Sequence, residues 1–302
     1  MNQGVTLRQL RYFVSAADHG SMTGAGRAHF VSQSAVSLAV SDLERELDVQ
    51  LFIRQRSRGL TLTPAGQKVL DDARSLLARV DDLVSDARGL GTVLHGSLAV
   101  GCYETFAPFL MPGLLADFHE QHPDVSVELS IGTVPEMQDG LRSGTYEVAL
   151  AYDLDLDPDI EVVPLQTTAP YVLLPPTHPL AGRAEIGLRD LTGEPLVLLD
   201  QPQPTTYFLG LFRAEGIEPH IAERTSSFEF LRSLVARGFG YSLLIQRPAG
   251  DISYEGLPLA CLPLADPPHR LTIVAAFPSG IRRTRRAEAF LDHCRATTAD
   301  PG

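Results

Sequence analysis

Apolar residues near the start of the chain fall at helical intervals. Leu7, Leu10, Phe13, Val14 and Ala17 share one face, predicting an amphipathic helix. His19-Gly20 ends it, Gly being suited to the left-handed residue beyond a helix terminus. Ser21 caps a short second helix that runs to about His29. Ser32 caps a third, with Val36, Val40, Leu43 and Leu47 in one stripe and Gln33, Ser34, Ser37, Leu38, Ser41 and Arg45 opposite. Two helices joined by Phe30-Val31 form a helix-turn-helix whose second member is placed to enter a major groove. The apolar segments Gln50–Ile53 and Leu60–Leu62 flank Arg54, Arg56 and Arg58, predicting a small β-hairpin with three cations at its tip. That is a wing shaped to grip phosphates, and the planar fork of Arg suits the task.

Thr63 then reads as a cap and Pro64 as the first position of a long helix, where the missing N–H costs nothing. It continues to about Arg88 and meets Gly89 and Gly91. Leu70, Ala73, Leu77, Val80, Val84 and Ala87 step by three and four, a heptad seam for a partner helix. From Gly96 strands and helices alternate, which implies a mostly parallel sheet covered on both faces. Strands are expected at Leu98–Val100, Val125–Ile131 and Tyr146–Ala151, with helices at Phe106–Gln121 and Val134–Ser143. A second unit has strands at Tyr171–Leu174, Pro195–Leu199, His220–Glu223 and Tyr241–Ile245. Leu271–Phe277 returns to the first unit, and a helix from Arg282 to about Arg295 closes the chain. The fold class is therefore α+β multidomain. Residues 1–63 form a winged helix-turn-helix, 64–91 a linker and dimerisation helix, and 92–302 a two-lobed α/β domain. Lobe 1 spans about 92–164 and 266–302, lobe 2 about 165–265.

Charge sharpens this division. The whole chain of 302 residues carries −12, which is unpromising for contact with a polyanion. Residues 1–63, however, hold seven Arg against five acids, a balance of +2, and the remainder 18 basic against 32 acidic residues, a balance of −14. An acidic body repels phosphates and confines their attraction to the basic end. Cys102, Cys261 and Cys294 are odd in number and scattered, which argues against a disulfide framework. No apolar stretch is long enough to span a bilayer, and no charged-then-apolar leader opens the chain, so the expected location is cytoplasmic with no membrane partner.

Ligands of open α/β folds sit where strands end. The strand ends nominate Tyr103, Glu104 and Thr105, Gly132 and Thr133, and Tyr152 and Asp153 in one lobe. In the other they nominate Asp200, Thr205, Thr206 and Tyr207, and Ser226, Ser227 and Phe228. Hydroxyls and helix N-termini suit a carboxylate or carbonyl, whereas Glu104, Asp153 and Asp200 would repel a dianion and accept from hydroxyl or ammonium groups. The expected ligand is a small polar organic molecule, aromatic and amine-bearing ones included, with at most one carboxylate.

The run Leu7-Arg8-Gln9-Leu10-Arg11-Tyr12-Phe13 resembles the opening of LysR-type transcriptional regulators. So do Ser21-Met22-Thr23, Val31-Ser32-Gln33, Leu43-Glu44, Leu51-Phe52 and Leu62-Thr63-Pro64-Ala65-Gly66, in order and at the family's spacing. The resemblance extends over the chain in length and layout. It implies a dimeric or tetrameric regulator whose third helix reads DNA and whose C-terminal domain, similar to a periplasmic binding protein, binds an inducer between its lobes. DNA contacts are then expected from Gln33, Ser34, Ser37, Leu38, Ser41, Arg54, Arg56 and Arg58. The implied partners are promoter or operator DNA, a small-molecule effector, further copies of this chain and RNA polymerase, with no cofactor. The chain departs from the family pattern at Ser34, where Pro is common, and at Gly24, Gly26 and His29, in a helix usually richer in Ala and Leu.

An enzyme or a solute-binding protein built on the two-lobed half is the alternative. The chain lacks a phosphate-cradling glycine loop, a His-Glu-x-x-His pair and a Gly-x-Ser-x-Gly turn. His119 and His122 stand at a helix end without partners at metal-ligand spacing, so no metal site is expected. The cysteines do not reproduce the spacing of the family's peroxide-sensing branch, and redox sensing is not expected.

Overall fold

The computed structural model describes residues 4–55, 59–87 and 94–298. The N-terminal head packs α1 (Leu7–Asp18), α2 (Met22–Ala28) and α3 (Gln33–Leu47) around Leu10, Phe13, Ala25, Val36, Val40 and Leu43, all buried. Each helix starts on a side-chain cap, a feature worth about 1 kcal/mol. Thr6 and Gln9 form a reciprocal capping box, Ser21 accepts from the Gly24 N–H at 3.0 Å, and Ser32 accepts from the Ala35 N–H at 3.2 Å. The wing pairs β1 (Phe52–Gln55) with β2 (Gly59–Leu62) in antiparallel register, Phe52 opposite Leu62. Phe52 lies against Phe13 with ring centroids 5.3 Å apart, so the wing is seated on the helical core.

Two glycines are explained by close approach. A Cβ at Gly26 would stand 2.9 Å from the Val31 carbonyl oxygen, in the tight connection between α2 and α3. At Gly66 it would stand 2.1 Å from the Leu51 carbonyl oxygen, where the long helix α4 (Pro64–Ala87) crosses the base of the wing. Thr63 sets that crossing, since its hydroxyl donates to the Gln50 carbonyl at 2.6 Å and accepts from the Gly66 N–H at 2.9 Å. Glu44 Oε1 completes it by accepting from the Leu51 and Phe52 N–H groups.

The seam expected along α4 divides. Leu70 and Ala73 are only 4% and 3% exposed and belong to the head's own core, with Leu77 packed beside them. The first half of the stripe therefore serves the chain's own α1. Farther along, Leu76, Leu83 and Val84 are exposed, and the Ala87 side chain and residues 88–93 lie outside the described residues. Arg74 of α4 holds both ends of the molecule. Its guanidinium bonds Asp18 at the end of α1 and the Thr145 hydroxyl in the body, at 2.5 and 2.6 Å.

The body's first sheet has the order β4-β3-β5-β12-β6, from β3 (Gly96–Tyr103), β4 (Val125–Gly132), β5 (Val148–Tyr152), β6 (Ile160–Thr168) and β12 (Leu271–Pro278). β3 runs parallel to β4 and β5, but β12 is antiparallel to β5 and β6. A mostly parallel sheet thus holds only for its first three strands, because the chain re-enters this lobe from the opposite end. β6 was absent from the expected strands, and it carries the first sheet to Thr168. Helices α5 (Ala107–Gln121), α6 (Val134–Arg142) and α9 (Arg285–Thr298) cover this sheet.

In the second lobe β7 (Tyr171–Leu174) lies between β10 (Ser242–Leu244) and β11 (Ala260–Pro263), antiparallel to both. β8 (Pro195–Leu199) and β9 (His220–Thr225) form a parallel pair tied to β10 by a bridge from Leu196 to Tyr241. Helices α7 (Pro202–Ala214) and α8 (Phe228–Ala236) complete the lobe. Among the described residues no helix is long and apolar enough to cross a membrane.

Candidate nucleic-acid interface and interlobe cleft

The third helix turns a mostly polar face away from the core. Gln33, Ser34 and Leu38 are exposed and Ser37 and Ser41 half-buried, on the side opposite the buried Val36, Val40 and Leu43. Ser34 Oγ lies 2.9 Å from the capping Ser32 Oγ, so the first turn keeps its hydroxyls clustered. Two apolar groups share this surface: Leu38 is 64% exposed, and Phe30, at φ 55° in the turn before α3, is 97% exposed. An L-residue with a bulky side chain rarely holds that backbone conformation, which aims the ring outward rather than into the core. Arg45 is drawn to Asp42 at 2.6 Å and offers less free charge than its position suggests. Arg54 contributes its backbone to β1, while its side chain and all of Arg56 and Arg58 lie outside the described residues.

The second site lies between the lobes at the strand ends. The lobe-1 wall is Tyr103 at the end of β3, Thr105, Val134 opening α6, Tyr152 at the end of β5, and Leu154. Lobe 2 contributes Leu199 ending β8, the first turns of α7 with Gln203, Pro204, Tyr207 and Phe208, Phe228 opening α8, and Leu244 to Gln246 after β10. Leu271, where β12 crosses back, forms the floor. The cleft encloses about 500 Å³ out to its mouth, and the lobes touch across it. They are latched across the cleft by Gln246 Nε2, which donates to the Tyr152 hydroxyl at 2.8 Å, and by edge-to-face packing of Phe109 on Phe228 at 5.4 Å. Tyr207 donates to the His269 carbonyl at 2.6 Å. Burial pushes the phenols of Tyr103 and Tyr152 well above the ordinary tyrosine range and that of Tyr207 up to about 12, so all three remain neutral.

Of the residues nominated from strand ends, Tyr103, Thr105, Tyr152, Tyr207 and Phe228 meet in this cleft. The others have local work. Thr133 caps α6 together with Glu136, and Gly132 lies against that carboxylate. The Glu104 N–H donates to the Gly132 carbonyl. Asp153 accepts from the Thr272 N–H at 2.7 Å, and Asp200 pairs with Arg224 at 3.2 Å. Thr205 and Thr206 donate back to the Leu199 and Pro202 carbonyls, Ser227 caps α8, and the Ser226 carbonyl accepts from Gln201. Glu104, Asp153 and Asp200 do not line the cleft, although Glu104 and Asp153 act electrostatically on the lining phenols of Tyr103 and Tyr207. The apolar lining residues were not nominated, because Leu199, Leu244 and Leu271 read in sequence as ordinary strand core.

Cys102 and Cys294 are both buried between β3 and α9, and burial pushes the Cys102 thiol far up and that of Cys294 up to about 12. Such thiols are poor nucleophiles. Among the described residues no group of His, Cys, Asp and Glu is arranged to hold a metal ion.

A winged helix-turn-helix joined through one long helix to a two-lobed cleft defines a DNA-binding regulator with an effector domain. Comparison with known proteins gives the family. Residues 7–67 match the bacterial regulatory helix-turn-helix of the lysR family, and residues 91–299 match the LysR substrate binding domain. The chain is 32% identical over 256 residues to the HTH-type transcriptional regulator YvbU of Bacillus subtilis strain 168, covering 84% of this chain and 85% of that one. It is similar to the crystal structure of HinK, a LysR family transcriptional regulator from Pseudomonas aeruginosa, at 38% identity and TM-score 0.65, over 98% and 99% of the two chains. It also matches full-length CbnR in complex with its target DNA, at 26% identity and TM-score 0.58, over 97% and 99%. The chain belongs to the LysR family, whose members are transcriptional regulators rather than enzymes.

Proposed function

We propose that this protein binds promoter DNA in the cytoplasm as a dimer or tetramer, and that a small organic effector seated between the lobes governs its arrangement on the duplex. The observation that carries the reading is the pairing of an outward-turned polar face on α3 with a cleft between two lobes of the same chain. Gln33, Ser34, Ser37, Leu38 and Ser41 face the bases and Arg54, Arg56 and Arg58 hold the backbone in this account. Gln can pair two atoms of adenine, and exposed Leu38 suits a thymine methyl. Exposed Leu76 and Leu83, seven residues apart on α4, support association through that helix. Two heads are needed because one recognition helix reads only a half-site, the next lying roughly 34 Å along the duplex. The CbnR complex supports the DNA reading by likeness.

The effector acts by population shift, favouring one lobe arrangement by its differential affinity for it. Arg74 is the group through which a change in the body reaches the end of α1. RNA polymerase recruitment follows from the altered dimer on the promoter.

Two variants test the DNA face. Gln33→Ala is expected to relax base preference at one position of each half-site. Arg54→Ala is expected to weaken all duplexes alike and to flatten the salt dependence by about one unit of slope per lost phosphate contact. Wild-type behaviour of both variants would overturn the assignment.

A further inference from the structure

We infer that the interlobe cleft is built for an uncharged, flat, ring-shaped molecule bearing a hydroxyl or carbonyl oxygen, and that it rejects carboxylates and ammonium ions of the same size. The inference rests on the reading of this cleft as the effector site and goes beyond it to the chemical class admitted.

No charged side chain is among the residues that line the cleft. Its walls are the rings of Tyr103, Tyr152, Tyr207, Phe208 and Phe228, set edge to face where they touch: Tyr103 meets Tyr152 at 6.0 Å and 73°, and Tyr207 meets Phe208 at 5.3 Å and 60°. Walls of this kind favour another ring inserted among them. An ion brought here loses its hydration and finds no countercharge. The charged groups that act on the lining phenols, Glu104 on Tyr103 and Asp153 and Arg270 on Tyr207, stand behind the lining rather than in it, and Asp153 is already bonded to the Thr272 N–H. Attraction of a cation to ring faces returns less than the hydration that a primary ammonium gives up on entering.

Helix N-termini offer an anion less than their number suggests. α5, α6 and α7 begin at the cleft with Pro in their first two positions, Pro108, Pro135 and Pro202, with Pro204 following, and α8, which also begins there without proline, has its Phe230 N–H taken up by Ser227. Every such proline removes an N–H that would otherwise be free to meet a carboxylate. What remains is hydroxyl chemistry. Tyr103 Oη and Thr105 Oγ1 are buried and have no well-formed hydrogen bond, the Thr105 hydroxyl lying within reach of the Tyr103 and Tyr152 phenols. A buried hydroxyl so placed is costly, and a neutral oxygen on the ligand can accept from one and donate to the other.

The test titrates the full-length protein with benzyl alcohol, benzoate and benzylammonium, followed by calorimetry and ligand-observed NMR. Benzyl alcohol is expected to bind at least about tenfold tighter than either ion. Thr105→Val, which replaces the hydroxyl by a methyl of equal volume, is expected to weaken benzyl alcohol several-fold but not toluene. Leu199→Trp, which fills the cleft, is expected to abolish binding of both; should that variant not fold, methyl shifts at Thr105 and Leu244 in the wild type locate the probe instead. Benzoate or benzylammonium bound in the cleft as tightly as the alcohol would overturn the inference, as would the failure of all three probes to bind. Binding that ignores Leu199→Trp and leaves the Thr105 and Leu244 methyls unmoved would instead overturn the cleft as the effector site.

Discussion

Tyr152→Phe isolates the latch that holds the lobes together. The substitution removes one oxygen and keeps a ring that packs on Phe106 at 5.1 Å, so the lobe-1 core is undisturbed. What is lost is the phenolic oxygen that takes the 2.8 Å bond from Gln246 Nε2 and also meets the Thr105 hydroxyl, in a place where Tyr152 is 5% exposed. A hydrogen bond of this kind is worth about 0.5–1.5 kcal/mol net, and the Gln246 amide loses its partner in a poorly hydrated site. The closed arrangement should therefore lose about 1–2 kcal/mol relative to the open one, a shift of roughly 5–30-fold in their ratio. Amide hydrogen exchange of the full-length protein reads this directly. The amides of β10 and of the start of β12 are expected to exchange faster by that factor, while those of the head do not change. Unchanged protection in β10 would show that the bond does not hold the lobes. Acceleration confined to residues around Phe106 would show that the ring, not the hydroxyl, was disturbed.

Three further outcomes are expected. Gly66→Ala places a Cβ 2.1 Å from the Leu51 carbonyl oxygen, a clash with backbone that forces α4 off the wing, and should cost about 2 kcal/mol or more in thermal or urea unfolding of the head. Alkaline pH should unfold the body: the buried thiols of Cys102 and Cys294, the half-buried thiol of Cys261 and the buried phenols of Tyr103, Tyr152, Tyr171, Tyr207 and Tyr241 are all held above their ordinary value, so stability begins to fall above about pH 8.5 and falls more steeply above about pH 10, by about 1.4 kcal/mol per pH unit for each group the unfolded chain has ionised. Urea midpoints that stay constant through that window would contradict the burial of these rings. Peroxide should leave Cys102 and Cys294 reduced, their thiols being buried and pushed up, and mass spectrometry showing a disulfide between them would refute that.

The head was legible in sequence because its determinants are local. Ser21 and Ser32 are caps that announce themselves three residues ahead of the N–H they serve, and the stripe of Val36, Val40 and Leu43 is buried as its spacing requires. Leu47, at the end of the same stripe, is 37% exposed, since the helix runs past the core there. The seam on α4 was ambiguous for a physical reason: a helix closing its own domain through Leu70 and Ala73 and a helix joining a second chain show the same period. β6 escaped because Pro164 interrupts it, and β11 because it is four residues long and ends in Pro263. At the cleft, polar residues at strand ends were the visible signal, but helices begin there too, and Thr133 and Ser227 turned out to cap them. The true lining is aromatic and aliphatic, and only the closing of two lobes distinguishes Leu199 or Leu244 from any core leucine.

The most direct measurement is the affinity of the intact protein for a duplex from its own promoter region across a series of salt concentrations. A basic head on a strongly acidic body should give log K falling linearly with log salt, at about 0.9 per phosphate neutralised, summed over the heads engaged. An affinity for that duplex that is absent, or indifferent to salt, would contradict the account at its root.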